Sequence, residues 1–193
     1  QKKNKRLGYR IVHKVVSDNL SNILKILCTE LNKLYDPPSC VHGFVEDRNI
    51  KTNANLHLGK KYILSVDISL FFESITSNMV SASLCDLGFT RAISEYISQI
   101  TTINGKLVQG YNTSPVIANI VAKKLDSELI SYSHLSKIIY SRNADDLYFS
   151  SDETIPKSKE IGKIVENHNF ILNPLKSKLM IRGRNQFVTG LSV

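Results

Sequence analysis

The sequence predicts a mixed α+β fold. Apolar residues recur at helical spacing in several separate segments, short β-rich runs fall between them, and two of these runs, 137–141 and 147–150, lie close enough to pair as a hairpin. Their order is not a regular βαβ alternation, and neither an internal repeat nor a dividing linker is visible.

Element by element, Leu20, Ile23/Leu24, Leu27 and Leu31/Leu34 make residues 18–34 an amphipathic helix, with Ser17 or Asp18 as N-cap. Asp36-Pro37-Pro38-Ser39 ends it, since proline lacks a donor and bars helical geometry to the residue before it. A helix-compatible segment follows at 50–58. Lys61–Ile68 is a β-rich run that ends in Asp67 and is followed by Phe71-Phe72. Helices are expected over 77–86 and 90–100, split around Gly88. The clearest helix is 113–132: Thr113 or Ser114 caps it, Pro115 suits its first turn, and Ile117, Ile120/Val121, Leu125 and Leu129 form one stripe. The two hairpin strands flank Arg142-Asn143-Ala144-Asp145-Asp146, which places two adjacent acids at the tip. A last helix near 156–168 leads to strand-like pieces at 178–182 and 186–189.

Composition excludes several classes. With 42% hydrophobic residues, nine Gly and five Pro in 193, the chain suits one globular domain, or one domain plus fragments, and not a disordered or collagen-like polymer. No apolar run approaches the ~18 residues of a membrane span, and no secretory signal pattern is present, so a soluble protein with no membrane partner is expected. Cys28, Cys40 and Cys85 are scattered without C-x-x-C spacing, which predicts buried thiols in a reducing cytosol. The net charge of +8 is concentrated at the ends: residues 1–17 hold six basic side chains and residues 171–193 hold four, neither with an acid. Cationic ends suit a polyanionic partner, since phosphate contacts release counterions, but they equally suit solvated termini.

Asp67 ends one strand and Asp145-Asp146 cap a hairpin. If the strands are neighbours, three carboxylates converge, which is unfavourable unless divalent cations neutralise them. A pair of Mg²⁺ ions would take such ligands and clamp an in-line phosphoryl or nucleotidyl transfer. The alternative is an acidic turn and a strand end with no joint role.

A set of motifs in order decides further: Tyr9-Arg10-Ile11, Val41-His42-Gly43-Phe44, Asn53-Ala54-Asn55-Leu56-His57, Val66-Asp67-Ile68-Ser69-Leu70-Phe71-Phe72, Gln109-Gly110-Tyr111-Asn112-Thr113-Ser114-Pro115, Ala144-Asp145-Asp146-Leu147-Tyr148-Phe149-Ser150, Leu172-Asn173-Pro174-Leu175-Lys176 and Val188-Thr189-Gly190. Together they resemble the reverse transcriptases of bacterial retrons over nearly the whole chain. The resemblance implies a right-hand polymerase with partial fingers at 1–60, a palm at 61–193 carrying a helical insertion near 77–105, and no thumb. It makes Asp67, Asp145 and Asp146 the ligands of two Mg²⁺ ions, with Mn²⁺ a possible substitute. A primer hydroxyl would attack the α-phosphate of a dNTP, and Lys176 would protonate or neutralise the departing pyrophosphate, or else be a solvent lysine.

The same resemblance gives Phe72 the place beneath the sugar, where a ring leaves no room for a 2′-hydroxyl, and leaves Phe71 in the core. Gln109 and Gly110 become nucleotide-site residues, and Arg10 the fingers arginine that meets the triphosphate, although His13-Lys14 replaces the proline usual nearby. Asn53 and His57 bind RNA or brace the fingers. Val188, Thr189 and Gly190 belong to the region associated with the partner RNA, or form a strand end and turn. The retron assignment implies a structured non-coding RNA as template and primer, an RNA-linked DNA product, a possible effector protein, a role in defence against phage and a bacterial cytoplasmic location.

Two features depart from the family pattern. Asn143 stands two residues before the acid pair, where an aromatic residue usually supports the primer end, and Ser69 replaces a charged residue. The chain also stops at Val193, where a thumb is expected to begin, so it reads as a fingers and palm fragment with weakened grip on a duplex. Rival readings are a defence-associated reverse transcriptase with template-independent or protein-primed synthesis, a group II intron-like polymerase, and a non-catalytic palm-fold RNA-binding scaffold.

Overall fold

The computed structural model describes residues 12–193, together with the backbone of residues 2–4 and 8–10. In chain order its elements are β1 (Lys2–Asn4), β2 (Gly8–Arg10), α1 (Asp18–Leu34), α2 (Ile50–Asn55), β3 (Tyr62–Asp67), α3 (Phe71–Ser74), α4 (Ser77–Asp86), α5 (Arg91–Thr101), β4 (Thr102–Ile103), β5 (Lys106–Leu107), α6 (Ser114–Leu135), β6 (Ile139–Asn143), β7 (Asp146–Ser151), α7 (Ser158–Asn167), β8 (Lys178–Ile181), β9 (Phe187–Val188) and β10 (Leu191–Ser192). They form two compact units, one of Gln1–Asp36 with Phe72–Val121 and one of Pro37–Phe71 with Ala122–Val193. This division runs differently from a linear break near residue 60. The segment 37–60 belongs with the sheet, because α2 packs on β6 and on β9 and β10, and Val41 bridges to Arg142. No helix among the described residues is long and apolar enough to cross a membrane.

In the first unit, α1 starts where Ser17 accepts the Leu20 N–H, and it buries Leu24 and Leu31 while Ile23 and Leu34 stay exposed. Thr76 and Thr90 cap α4 and α5 in the same way, with Gly88 at φ 99° between them. A hairpin not expected from the sequence, β4–β5, turns on Asn104-Gly105, both with positive φ as a type I′ turn requires. Cys85 is exposed and Cys28 half-buried, against the expected burial of all three thiols; only Cys40 is in the interior.

The second unit is built on an antiparallel sheet of order β6-β7-β3-β8. Strand alternation sorts its side chains. One face carries Ile63, Ser65 and Asp67 of β3, Asp146, Tyr148 and Ser150 of β7, and Ser141 and Asn143 of β6. It is covered by α2 and by β9–β10, where Ala54, Ile63, Tyr148, Met180 and Val188 form a buried cluster. The other face carries Leu64, Val66, Leu147, Phe149, Tyr140 and Arg142, all buried, with the Tyr140 and Phe149 rings stacked at 5.1 Å. On α6, Leu125 and Leu129 are fully buried, as the stripe predicts.

The β9–β10 hairpin accounts for Val188-Thr189-Gly190 in structural terms. Val188 is core, while Thr189 (φ 49°) and Gly190 (φ 81°) fill the two left-handed positions of a two-residue turn. Thr189 donates its N–H to Tyr148 Oη at 3.0 Å and its hydroxyl to the Ile50 carbonyl at 3.1 Å, tying the turn to β7 and α2. Gly190→Ala is expected to cost about 1 kcal/mol, the penalty of a Cβ in left-handed backbone, read as a lower urea midpoint at unchanged slope. An unchanged midpoint would contradict this account of the turn.

Candidate active site

The three aspartates expected to act together lie on neighbouring backbones of the second unit. Asp67 ends β3 directly opposite Asp146 of β7, so the two side chains share a face. Beyond that pair the backbone stays locked: Ile68 N–H donates to the Asp145 carbonyl at 2.8 Å, and Asn173 N–H donates to the Asp67 carbonyl at 2.7 Å. The hairpin is tighter than the sequence suggests. β6 and β7 extend to Asn143 and Asp146, which leaves a two-residue turn, Ala144-Asp145, with Ala144 at φ 57°. Asp146 is therefore a strand residue and not part of the tip. Asn143 is paired with Asp146 in register and faces the acid side of the sheet.

Charge crowding is visible in the chemistry of Asp146. Burial, reinforced by Asp145 and then Asp67, raises its carboxyl to about 6, and the Lys176 ammonium only partly opposes this. Lys176 reaches the acids from a turn in which Lys176 N–H donates to the Asn173 carbonyl and Leu175 N–H to Asn173 Oδ1. Its Nζ lies 2.6 Å from Asp67 Oδ2, with the lysine side chain 33% exposed and the aspartate 7%. Among the described residues, no three His, Cys, Asp or Glu side chains close into a preformed ligand set. A cluster of hard carboxylate oxygens on neighbouring backbones, one of them raised by burial and by its acidic neighbours, is nonetheless a donor set that suits a hard divalent cation such as Mg²⁺ or Mn²⁺.

Four residues to which the sequence assigned no role support this arrangement. Arg142 and Asp126 form an ion pair with no exposed side-chain surface. Gly43 lies against the hairpin turn so closely that a Cβ there would collide with the Ala144 nitrogen. Arg48 donates to the carbonyls of Pro37, Pro38 and Val41, fixing the loop that leads to Gly43. Their signal in the sequence is faint. Asp126 is an acid next to Leu125 in the buried stripe of α6, and Arg142 is a cation inside a strand run.

Asn53 and His57 are fully buried and present no surface to RNA, and His57 lies beyond the end of α2, so the two do not share a helical face. His57 instead braces the sheet, with Nδ1 2.7 Å from Ser150 Oγ and Nε2 2.7 Å from Ser141 Oγ. The Asn53 amide is buried with no hydrogen-bond partner among the described residues. Phe71 is buried, its ring 5.6 Å from that of Phe170, whereas Phe72 belongs to the first unit and is half-buried. In the first unit Gln109 donates to Glu73 Oε1 at 3.3 Å. Gly110 has φ 116°, and a Cβ there would strike the His13 carbonyl, so its close approach is to the chain's own backbone. The side chain of Arg10 lies outside the described residues.

A family model described as "Reverse transcriptase (RNA-dependent DNA polymerase)" matches residues 2–192. The chain belongs to the reverse transcriptase family. Members of that family work with divalent metal ions. Similar curated proteins include the retron Ec86 reverse transcriptase of Escherichia coli, 32% identical over 87% of this chain and 53% of its own length, and the retron Mx65 reverse transcriptase of Myxococcus xanthus, 30% identical over 96% and 48%. The chain thus spans about half the length of these relatives. Among solved structures, a telomerase from Candida albicans in complex with a TWJ fragment of telomeric RNA is similar with a TM-score of 0.64 at 14% identity, covering 90% of this chain and 38% of that one. At that identity the likeness shows a shared fold, the reverse transcriptase fold.

Burial of the His57 imidazole, reinforced by His42, lowers its pKa from 6.5 to about 4, so this reverse transcriptase chain folds with His57 neutral. The unfolded chain takes up that proton first. Stability is therefore full above about pH 6.5 and is lost as pH falls towards about 4, by up to about 3 kcal/mol. His57→Gln, which keeps a donor and an acceptor without a titrating ring, should flatten the urea midpoint between pH 7 and pH 4.5 relative to the parent. An equally steep decline in both proteins would remove His57 as the cause.

Proposed function

We propose that the chain is the fingers and palm portion of a retron-type RNA-directed DNA polymerase, extending a primer on an RNA template with deoxynucleoside triphosphates. The observation that carries this reading is Asp67 opposite Asp146 in register, with Asp145 next in the turn, within a chain that the reverse transcriptase family matches over residues 2–192. Asp67, Asp145 and Asp146 would hold two Mg²⁺ ions, or Mn²⁺ in their place, which would supply a lowered pKa at the attacking hydroxyl and charge neutralisation at the triphosphate. The primer hydroxyl attacks the α-phosphate, the new phosphodiester forms, and pyrophosphate leaves.

Lys176, a cation already at Asp67, donates a proton to that pyrophosphate or offsets its charge. Phe72 excludes a 2′-hydroxyl, and Gln109, Gly110 and Arg10 serve the incoming nucleotide. Asn53, His57 and Val188 act on RNA only by bracing the surface around them, since all three side chains are buried. The retron reading brings with it a structured non-coding RNA as template and primer, an RNA-linked DNA product, an effector protein, defence against phage and a bacterial cytoplasmic setting.

Asn143 favours a second reading. A short amide pairs with Asp146 where the family pattern leads one to expect an aromatic support for the primer end, which suits a defence-associated enzyme with template-independent or protein-primed synthesis.

Primer extension with the full-length protein, an RNA template, dNTPs and Mg²⁺, followed by sequencing of the product, separates the readings. Template-complementary DNA that is lost in Asp145→Asn, Asp146→Asn is the expected result, with a fall of at least about 1,000-fold, comparable to removing a main source of transition-state charge stabilisation. Random or homopolymeric product favours the second reading. No product with any primer or RNA leaves a non-catalytic RNA-binding scaffold.

A further inference from the structure

The pairing of Asp126 with Arg142 is expensive for the fold. Both side chains are wholly buried, Arg142 Nε donating to Asp126 Oδ1 at 2.8 Å and Nη2 to Oδ2 at 2.7 Å, while Tyr140 Oη donates to the same Oδ1 at 2.8 Å. Taking two such ions out of water carries a large desolvation penalty, and well-packed apolar side chains of similar volume often stabilise a core as well or better. Stability alone therefore gives little reason for charge here. Geometry gives a better one.

The guanidinium is a planar fork whose donors are fixed relative to one another. Asp126 fixes one side of the fork, and Nη1 then donates to the Ala144 carbonyl at 3.2 Å. Ala144 is the first residue of the two-residue turn and holds a left-handed φ of 57°, a conformation strained for a residue with a Cβ that persists only where its surroundings impose it. The Arg142 backbone is itself clamped, its N–H donating to the Cys40 carbonyl and its carbonyl accepting from His42 N–H, both at 2.8 Å. From Ala144 the chain passes to Asp145, whose carbonyl accepts from Ile68 beside Asp67. A continuous set of contacts thus runs from α6 through Arg142 and the turn to both strands that carry the acids.

We propose that Asp126 and Arg142 are positioning residues for nucleotidyl transfer: the buried pair aims the guanidinium at the Ala144 carbonyl and so sets the Ala144-Asp145 turn that presents Asp145 and Asp146. Neither touches substrate. The inference rests on the polymerase reading for its effect on rate, and on structure alone for its effect on the turn.

The decisive variant, made in the full-length protein, combines Asp126→Leu, Tyr140→Phe and Arg142→Met, which removes the charges and the attached hydroxyl together and leaves no unpaired buried ion. Its unfolding midpoint is expected to stay near that of the parent. In primer extension kcat is expected to fall about 100-fold, the cost of a displacement of about 1 Å at a reacting group, with the KM for dNTP within about threefold of the parent. Hydrogen exchange at the amides of residues 144–147 is expected to quicken while that of α7 is unchanged. Arg142→Lys, which keeps the charge but lacks the fork, should lower kcat about 10-fold in the same pattern and decides the matter if the combined variant does not fold.

A folded variant whose kcat stays within about threefold, or whose loss lies in KM, overturns the proposal. If the parent itself makes no DNA, the polymerase reading fails separately. Hydrogen exchange then decides: faster exchange at 144–147 supports the positioning role, and unchanged exchange overturns it.

Discussion

Asp126 and Arg142 meet where no solvent reaches, and much of the second unit is arranged around their meeting. The pair joins α6 to β6, takes the Tyr140 hydroxyl into the same contact, and leaves one guanidinium donor for the carbonyl of Ala144. Burial pushes the Tyr140 hydroxyl well above its ordinary range, and Asp126 beside it adds to the effect, so the phenol stays a donor at any physiological pH. Burial likewise drives the neighbouring Cys40 thiol up to about 12, with Asp126 contributing, which leaves it an inert filler of the core. Both of these neighbours of the charged pair thus stay protonated at neutral pH.

The two faces of the sheet divide the labour. On one, alternation delivers Leu64, Val66, Leu147 and Phe149 to an apolar interior. On the other, the acids at one end give way to a polar belt of Ser65, Tyr148, Ser141, Ser150 and the bridging His57, and then to the cluster under α2 and β9–β10. The belt explains why a histidine can be fully buried without a charge partner: each ring nitrogen meets a hydroxyl that can donate or accept as the tautomer demands. It also gives the Val188-Thr189-Gly190 segment a mechanical place, since Thr189 ends the belt by donating its N–H to Tyr148.

Most regular elements were legible because their signals are local. Ser17 and the spacing from Leu20 to Leu34 specify α1, and Gly88 separates two further helices. The β4–β5 hairpin was legible in principle, through Asn104-Gly105, but its strands are only two residues long and carry no alternation. Asp67, Asp145 and Asp146 were legible as a group through the resemblance, and their register required the sheet order, in which β3 lies between β7 and β8. What no local signal carried was the support. Asp126, Arg142, Gly43 and Arg48 act through contacts between segments distant in sequence, where one residue's spacing says nothing about another's. For the same reason the sequence left Asn53 and His57 open between a surface and an interior role.

The contact between Gly43 and the hairpin turn carries a consequence for how this chain can vary. The space a Cβ would occupy at residue 43 is bounded on one side by the Ala144 nitrogen and on another by Asn143 Oδ1, 2.8 Å away. Position 143 is one of the two that depart from the pattern of the family the sequence resembles, so that departure abuts the glycine directly. The two positions share a single small volume: whatever side chain position 143 adopts must leave residue 43 without one. Restoring an aromatic ring at 143 would be a change in the shape of two segments a hundred residues apart, with the room set by the hydrogen atom of one glycine.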